Sequence, residues 1–344
     1  MTFSAPSSSP TLRQRWIATP YGLRESLGVL RRNLLGVDRR QPAGIGAALP
    51  RRARFLPAAA VSTRIAFVGD IMSMGQRRLT IDPALGDRLK SCDWLVGNFE
   101  ATVTEARWRR GVLFGAFQPQ PLSFLDTLAR LFPPPRTLLS LANNHAGDYP
   151  PSVFQDSRRV LEDRGFRTFG HAGRPGVEVD GMARIAAGTM WSNQPCAAVP
   201  SLEQALAWSQ ATAGTVPEAA RRIDILYPHW GYELELFPRP GMVARAEALT
   251  AQYDAIVGHH SHTVQPVVSR PGRHDQALIA YSLGNLVTAL GNPAYGFGLL
   301  LVLGLARSPD GRPCIAEAAW DVLRCRHLSR RESLLEVVER PVYR

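Results

Sequence analysis

The feature that most constrains this chain is a short apolar run ending in a polar motif, which recurs along the sequence. Residues 64–70 give the first example, because RIAFV reads as a buried strand and is followed by a Gly-Asp turn. The same pattern recurs at residues 94–100, 138–145, 223–229, 255–260 and 278–285. Helical patterns at residues 152–164 and 242–253 lie between some of these runs. Strands that alternate with helices and end in polar residues predict an α/β fold with its functional site along one sheet edge.

Composition limits the class of protein. A hydrophobic content of 45% and a charged content of 20% over 344 residues are ordinary for one large globular domain or two smaller ones. Four cysteines without a CxxC pair argue against a zinc ribbon or a disulfide framework and indicate a reducing compartment. No apolar run approaches the roughly 20 residues of a membrane span, and the first residues lack the pattern of a secretory signal. We therefore predict a cytoplasmic location, either free or at the periphery of a membrane.

Charge is distributed unevenly along the chain. The net charge is +11, and residues 1–63 hold ten arginines and two acidic residues, which gives +8 for this part alone. Residues 1–62 are also rich in Ser, Pro and Gly, which predicts an irregular, basic N-terminal extension. We divide the chain into this extension, a main domain at residues 63–328 and a C-terminal tail at residues 329–344.

Within the extension, Leu23, Leu27, Leu30 and Leu34 recur at helical spacing and predict a short amphipathic helix. This helix could pack on its own domain, bind a partner, or lie on an anionic membrane surface. Packing on its own domain is the ordinary arrangement and the one we expect. The arginines would also allow contact with nucleic acid. Because the extension has few aromatic residues for base stacking, nucleic acid is the least favoured partner.

Seven polar residues lie at or just after the predicted strand ends: Asp70, Glu100, Asn144, His145, His229, His260 and His262. Carboxylates, amide oxygens and neutral imidazoles are the ligands that divalent metals use in proteins. The segment GHHSH at residues 258–262 carries the strongest single signal, with three histidines in four residues after an apolar run. Taken alone, this segment could also be a buried hydrogen-bonded cluster, although a metal-binding loop is favoured, and Asp70 could be a helix cap or turn residue. Together the motifs predict a metal site.

In their order along the chain, these motifs resemble those of the CapA (poly-γ-glutamate capsule synthesis) family, which is related to the calcineurin-like metallophosphoesterases. The resemblance covers residues 64–290 and implies a four-layer α-β-β-α sandwich with two metals at the strand ends. The matching motifs are GDIM (69–72), GNFE (97–100), ANNH (142–145), HWGYE (229–233), GHHSH (258–262) and YSLGN (281–285).

The resemblance also implies a role for each residue. Asp70 looks like a ligand of the first metal, Glu100 takes the place of the bridging carboxylate, and Asn144 looks like an amide ligand of the second metal. His145 stands where the related phosphoesterases have their general acid. The remaining imidazole ligands resemble His229, His260 and His262. Residues that look like supports of the ligands or contacts of the substrate are Asn143, Asp148, Glu233, His259 and Asn285.

Two positions depart from the pattern of the related phosphoesterases. Met72 stands two residues after the first Asp, where those enzymes have a histidine, so a site with one metal is an alternative to a site with two. Ser261 replaces the Pro that is usual in the GHHPH motif of the family, which implies a minor change in the loop.

From the residues and the resemblance, we predict a hydrolase with one or two Mn, Fe or Zn ions. A metal-bound hydroxide would attack a phosphoester or a γ-glutamyl-type amide, and His145 would protonate the leaving group. The alternative is an accessory protein that binds an anionic polymer during poly-γ-glutamate-like synthesis or export without catalysis. The expected partner is therefore an anionic small molecule or polymer, with peripheral membrane contact through the basic extension. Residues 170–220 carry no readable motif, although Trp191 and Asn193 lie there, and we expect them to line the site or to pack.

Overall fold

The computed structural model describes residues 17–56, 59–105, 114–213, 222–309 and 311–343. The strands in chain order are β1 (Ile17–Ala18), β2 (Arg52–Arg54), β3 (Thr63–Ile71), β4 (Arg78–Ile81), β5 (Trp94–Asn98), β6 (Thr102–Val103), β7 (Phe114–Gly115), β8 (Pro119–Gln120), β9 (Thr137–Ser140), β10 (Arg167–Phe169), β11 (Gly176–Val179), β12 (Ala183–Thr189), β13 (Ile223–His229), β14 (Ala255–Val257), β15 (Val267–Gly272), β16 (Asp275–Ala280), β17 (Asn285–Val287), β18 (Phe297–Arg307), β19 (Pro313–His327) and β20 (Glu332–Val338).

The helices lie between strands, as the sequence pattern predicts. Short 3-10 segments at Pro134–Arg136, Asn144–Gly147 and Pro293–Gly296 complete the secondary structure of the described ranges. The α-helices are α1 (Leu23–Leu35), α2 (Pro83–Leu89), α3 (Phe124–Leu131), α4 (Pro151–Asp163), α5 (Leu202–Ala213) and α6 (Pro240–Leu249). Over the ranges that the structure describes, no helix is both long and apolar enough to cross a membrane.

Two mixed sheets form the body of the protein. The larger has the order β10-β9-β5-β3-β18-β19-β20-β4, with β17 beside β3 and β2 beside β19. The smaller has the order β11-β12-β13-β14-β16-β15. Strands β10, β9, β5 and β3 run parallel to one another, as do β12, β13, β14 and β16. Each sheet therefore brings the carboxyl ends of its central strands to one edge.

The two sheets face each other across a shared core. Ile65 and Phe67 are two residues apart in β3, so their side chains point to the same face of the larger sheet, which is its inner face. They belong to the same buried cluster as Ile225 and Tyr227 of β13 in the smaller sheet. This cluster is the central seam of a sandwich.

Helices cover the outer face of each sheet. Val68 of β3 shares a second buried cluster with Leu128 of α3 and Leu161 of α4. On the other side, Leu226 of β13 shares a third cluster with Val243 of α6. The layers are therefore α-β-β-α, which confirms the fold class predicted from the sequence.

The segments outside residues 63–328 also join the body. In the N-terminal extension, β2 pairs antiparallel with β19. In the C-terminal tail, β20 pairs with β19 and β4, so a segment in which the sequence showed no chemistry completes the larger sheet. After β20, the Tyr343 hydroxyl accepts a hydrogen bond from the Val264 backbone N–H at 2.7 Å.

The predicted amphipathic helix is present as α1 and lies against the body, but its leucines face away from the body. Its polar side faces the body, where Ser26 and Arg32 are buried. Leu23, Leu27 and Leu34 are exposed instead. The physical reason is a set of buried charges on the polar side of α1, because Arg32 forms ion pairs with Glu25 and with Glu235 of the body.

Candidate metal centre

The predicted site residues converge because each lies at or shortly after the carboxyl end of a strand, and these strand ends lie at the same side of the sandwich. Asp70 lies near the end of β3, and Glu100 follows β5 by two residues. His145 lies in the 3-10 turn after β9, His229 is the last residue of β13, and His260 follows β14. All five side chains are buried.

The histidine loop holds its side chains through an unusual backbone. His260 and His262 have φ values of 92° and 56°, in the left-handed region that non-glycine residues seldom adopt. The His260 backbone N–H donates to Asp70 Oδ2 at 2.9 Å, which ties this loop to the end of β3. Backbone strain of this kind persists where surrounding contacts hold it and is frequent at functional sites.

The Asp70 carboxylate collects donors from both sheets. Asn98 Nδ2 donates to Asp70 Oδ1 at 2.7 Å. His259 Nδ1 lies 3.0 Å from the same oxygen, and His262 Nδ1 lies 3.3 Å from Oδ2. Burial opposes ionisation of this group, but the imidazoles of His259, His262 and His229 hold the pKa of Asp70 well below its usual range. Asp70 is therefore an ionised carboxylate in the interior.

Glu100 lies among imidazoles but makes no hydrogen bond within the described residues. Its Oε1 is 3.6 Å from His229 Nε2, 3.7 Å from His145 Nε2 and 3.9 Å from His262 Nε2. Neither carboxylate oxygen has a hydrogen-bond partner. Burial, with the Asp70 carboxylate nearby, raises the pKa of Glu100 well above its usual range. A buried carboxylate without a partner is costly, and a cation between Glu100 and these imidazoles would remove that cost.

The imidazoles are poised to act as ligands. Burial and the neighbouring histidines lower the pKa values of His229 and His260 well below the usual range, so both rings are neutral and carry a lone pair. His260 Nδ1 and His259 Nε2 are buried without a hydrogen-bond partner. Two trios each bring their ligand atoms within 4.8 Å of one another: Asp70, His229 and His259, and Glu100, His260 and His262. These unpaired atoms fit a divalent metal with mixed O and N ligands.

His145 and Asn144 are fixed by two further residues. His145 Nδ1 donates to Asp148 Oδ2 at 2.5 Å, so its Nε2 points toward Glu100. Asn193 Nδ2 donates to Asp148 Oδ1 at 3.1 Å, and Asn193 Oδ1 accepts from Asn144 Nδ2 at 2.9 Å. With its amide nitrogen engaged there, Asn144 presents Oδ1 to His229 Nε2 at 2.7 Å. The amide oxygen of Asn144 is thereby available to the centre.

The remaining predicted residues lie around this cluster. Asn143 Oδ1 accepts from the His145 backbone N–H at 3.1 Å, and Asn285 Oδ1 lies 2.9 Å from His262 Nδ1. Glu233 lines a cleft of about 370 Å³ together with Asn144, His145 and His262. Met72 lines the same cleft and contributes no imidazole to it.

A residue of the N-terminal extension enters the site. The Tyr21 hydroxyl lies 2.7 Å from His260 Nε2, and the Tyr21 side chain is buried. Its ring packs edge-on against Trp191 at 5.0 Å between centroids and stacks on Tyr232 at 6.2 Å. Residues of the extension, including Val29 and Leu30 in the next helix, also line the cleft. The extension therefore forms one wall of the candidate centre.

Sequence reasoning assigned no specific role to three residues of this arrangement: Tyr21, Asn98 and Asn193. Asn98 lies inside the GNFE motif, and Asn193 follows the end of β12, so the strand-end rule that indicated the other residues could have found both. Tyr21 had no such signal, because it is 239 residues from its partner His260 and lies in a segment without a motif.

Comparisons with known proteins show which family this chain resembles. The family model described as "Bacterial capsule synthesis protein PGA_cap" matches residues 64–289. The capsule biosynthesis protein CapA of Bacillus anthracis is 28% identical over 168 residues, which cover 44% of this chain and 40% of that protein. The match thus spans less than half of the length of this curated relative.

Solved structures also show similarity at low sequence identity. A hypothetical protein from Thermus thermophilus is 17% identical with a TM-score of 0.43, covering 76% of this chain and 99% of that one. A phosphatase from Mycoplasma pneumoniae is 11% identical with a TM-score of 0.45, covering 76% of this chain and 95% of that one. Since the family model alone accounts for well over half of the sequence, this chain belongs to the bacterial capsule synthesis protein family PGA_cap.

Proposed function

We propose that this chain is a metal-dependent hydrolase. The residues that would hold one or two divalent cations are Asp70, Glu100, Asn144, His229, His260 and His262. The observation that carries the proposal is the Glu100 carboxylate, which is buried without a hydrogen bond and lies 3.6–3.9 Å from three imidazole nitrogens. A buried carboxyl group without a hydrogen bond is seldom retained unless it is paired or coordinates a metal.

The mixed ligand set suits Mn, Fe or Zn better than Mg or Ca, because it contains several imidazoles. When bound, such a metal supplies Lewis acidity and lowers the pKa of water to near neutrality. The protein's own part is to fix the ligands. Asn98 and His259 hold Asp70, Asn285 holds His262, and Asn193 orients the Asn144 amide. Such supporting contacts set ring orientation and ligand strength.

His145 is the proton donor in this proposal. Asp148 accepts from its Nδ1, which fixes the ring and directs Nε2 to the face of the cleft that contains Glu100. Because Nδ1 already donates its hydrogen to Asp148, Nε2 carries a proton only in the doubly protonated imidazolium, and a leaving group in the cleft would take the Nε2 proton from that form. Imidazole suits this task because its ordinary pKa lies near 6.5.

Tyr21 sets the tautomer of His260. If His260 Nε2 carries the proton, it donates to the Tyr21 hydroxyl, and the unpaired Nδ1 keeps its lone pair for a metal. The opposite tautomer would leave a buried Nδ1–H without any acceptor, which is costly. The N-terminal extension therefore contributes to the ligand set through Tyr21, although it provides no ligand itself.

The substrate we propose is anionic, either a phosphoester or a γ-glutamyl-type amide. A second candidate function is binding of a capsule polymer without catalysis, since the family description and the name of the Bacillus anthracis relative both concern capsule synthesis. Met72 favours this alternative, because it removes one imidazole that the related phosphoesterases use. Both functions use the same cleft and differ in whether metal-dependent turnover occurs.

Elemental analysis of the purified full chain tests the proposal. We expect one to two equivalents of Mn, Fe or Zn in the wild type, and little metal in the double variant His260→Ala/His262→Ala. The matched control is His171→Ala, because His171 is a buried histidine outside the cluster and its loss should leave the metal content unchanged.

The same preparations are then assayed with a chromogenic phosphodiester and with γ-glutamyl amides, with added Mn. Turnover that requires metal and disappears in the double variant supports the hydrolase. Bound metal with no turnover on either class favours the polymer-binding function. No metal under any loading condition contradicts both the ligand assignment and the hydrolase.

A further inference from the structure

The most unusual surface of this protein lies on α1, on the side opposite the body. Five exposed leucines lie on this one helix, with exposed fractions of 72% for Leu23, 50% for Leu27, 43% for Leu30, 74% for Leu34 and 78% for Leu35. Elsewhere in the described ranges, the exposed large apolar residues are three and scattered: Leu56, Leu328 and Val342. We call the group Leu23, Leu27, Leu30 and Leu34 the leucine stripe. Contiguous apolar patches of this kind mark sites of interaction.

The orientation of α1 is fixed by its buried side. Arg32 forms ion pairs with Glu25 at 2.7 Å and with Glu235 at 3.4 Å, and its side chain is only 9% exposed. Arg239 joins the same network through Glu25 and Glu235. Rotation of α1 to bury its leucines would break these partly desolvated ion pairs, which is strongly unfavourable. The leucine stripe is therefore a stable feature of the folded protein.

Positive charge flanks the leucine stripe. On a helical projection Arg24 and Arg31 lie along one edge of it. Both are exposed, and neither forms an ion pair with any residue of the described ranges. They line a groove of about 1110 Å³ that Arg39 and Arg40 also line. An apolar stripe bordered by arginines is complementary to a surface that is apolar inside and anionic outside.

We propose that α1 docks on a membrane surface that contains anionic lipids. The leucine stripe would enter the boundary between headgroups and acyl chains, and Arg24 and Arg31 would meet lipid phosphates. A helix of 13 residues is about 20 Å long and lies in the interface without crossing it. Binding would be weak and reversible, since one short helix buries little area.

Docking would also orient the candidate metal centre. Leu30 belongs to the leucine stripe and lines the cleft beside His145 and His262, so α1 is shared between the surface and the site. On the membrane, the mouth of the cleft would open near the lipid headgroups. The docking itself requires neither bound metal nor turnover, so its test is independent of the proposed function.

Sedimentation with lipid vesicles tests the proposal on the full chain. Vesicles of phosphatidylcholine with about one third phosphatidylserine are compared with vesicles of phosphatidylcholine alone. We expect the wild type to sediment with the anionic vesicles, and Leu27→Gln/Leu34→Gln to bind at least about tenfold more weakly. Arg24→Gln/Arg31→Gln should lose about tenfold or more, because each cation near an anionic surface contributes on the order of 1 kcal/mol. Leu328→Gln is the matched control, because Leu328 is 49% exposed but lies away from α1, and should bind as wild type.

Three results would overturn the proposal. The first is a wild type that stays in the supernatant with every vesicle composition. The second is equal binding of wild type and the double leucine variant, which would reduce the contact to nonspecific charge. The third is concentration-dependent dimerisation without vesicle binding, lost in the leucine variant by light scattering, which would assign the stripe to a second copy of this chain. Circular dichroism confirms in each case that the variants are folded.

Discussion

The candidate metal centre and the helix α1 both bury charged groups, but they differ in how completely those groups are paired. Around α1, Arg32 and Arg239 pair with Glu25 and Glu235. In the centre, both oxygens of Glu100 and two imidazole nitrogens lack partners. The unpaired groups inside the centre are the ones that the proposed cation would pair. Around α1 every one of these buried charges has an ion-pair partner, although Arg32 Nε makes no hydrogen bond, and the larger unpartnered feature is the apolar surface outside.

The largest effect that sharpens this comparison is expected at His145. His145→Ala should lower kcat by about 10² to 10⁴, the range of general acid catalysis, while metal content stays unchanged because His145 lies outside the proposed ligand set. Steady-state kinetics with elemental analysis measure both, and His171→Ala serves as the control. Equal turnover in wild type and His145→Ala would remove the proton-donor role and leave only the metal-holding part of the centre.

Tyr21 tests whether the extension and the centre are separate regions, because it belongs to the extension but contacts His260 in the centre. Tyr21→Phe keeps the ring contacts with Trp191 and Tyr232 but removes the oxygen 2.7 Å from His260 Nε2. We expect metal affinity to fall about 10- to 100-fold, as for other lost contacts behind a ligand. Competition with a chelator measures this affinity. Tyr232→Phe is the matched control, because it also removes one hydroxyl from this aromatic cluster, but that hydroxyl makes no hydrogen bond to His260.

An unchanged metal affinity in Tyr21→Phe would show that the extension covers the centre without tuning it. A loss of similar size in Tyr232→Phe would show that removing a hydroxyl anywhere in this aromatic cluster weakens the centre, so the effect would not be specific to the contact of Tyr21 with His260. Either outcome would separate the extension from the ligand set while leaving the proposed metal ligands in place.

The effect of the buried Glu100 carboxyl on the free energy of unfolding can be measured in the absence of metal. Because burial raises its pKa, Glu100 favours folding most below its unfolded pKa of about 4.3, and this contribution is lost as pH rises through the folded pKa. Glu100→Gln should therefore be more stable than wild type in the presence of a chelator at neutral pH, by about 1–3 kcal/mol, and the difference should shrink toward pH 5. Urea unfolding at several pH values measures this difference.

Glu332→Gln is the control for this measurement, because Glu332 pairs with Arg78 at the surface and its side chain is 48% exposed. It should change stability little at any pH. With metal restored, the order should reverse, since Glu100→Gln loses a proposed ligand. A wild type that exceeds Glu100→Gln in stability under chelation at neutral pH would mean that Glu100 has a partner inside the apo protein.

The parts that were predictable from sequence are those governed by local rules. Asp70, His229 and His260 each follow an apolar strand, and parallel strands bring such ends together whatever else the chain does. The contact of Tyr21 with His260 could not be predicted, because it depends on where a motif-free segment crosses the finished body. The exposure of the leucine stripe could not be predicted either, because helical periodicity indicates an apolar face and a polar face without showing which of them packs on the body.

The smallest expected effect tests that orientation directly. Leu27→Ala should change the free energy of unfolding by less than about 0.5 kcal/mol, because Leu27 is half exposed and alanine is a good helix former. Leu226→Ala, at a fully buried position of the smaller sheet, should cost about 2–5 kcal/mol in the same urea experiment. A cost above about 1 kcal/mol for Leu27→Ala would mean that the leucine stripe packs on this chain itself. The contrast between the ion-paired inner side of α1 and its apolar outer side would then be lost, and with it the reason to expect a membrane partner.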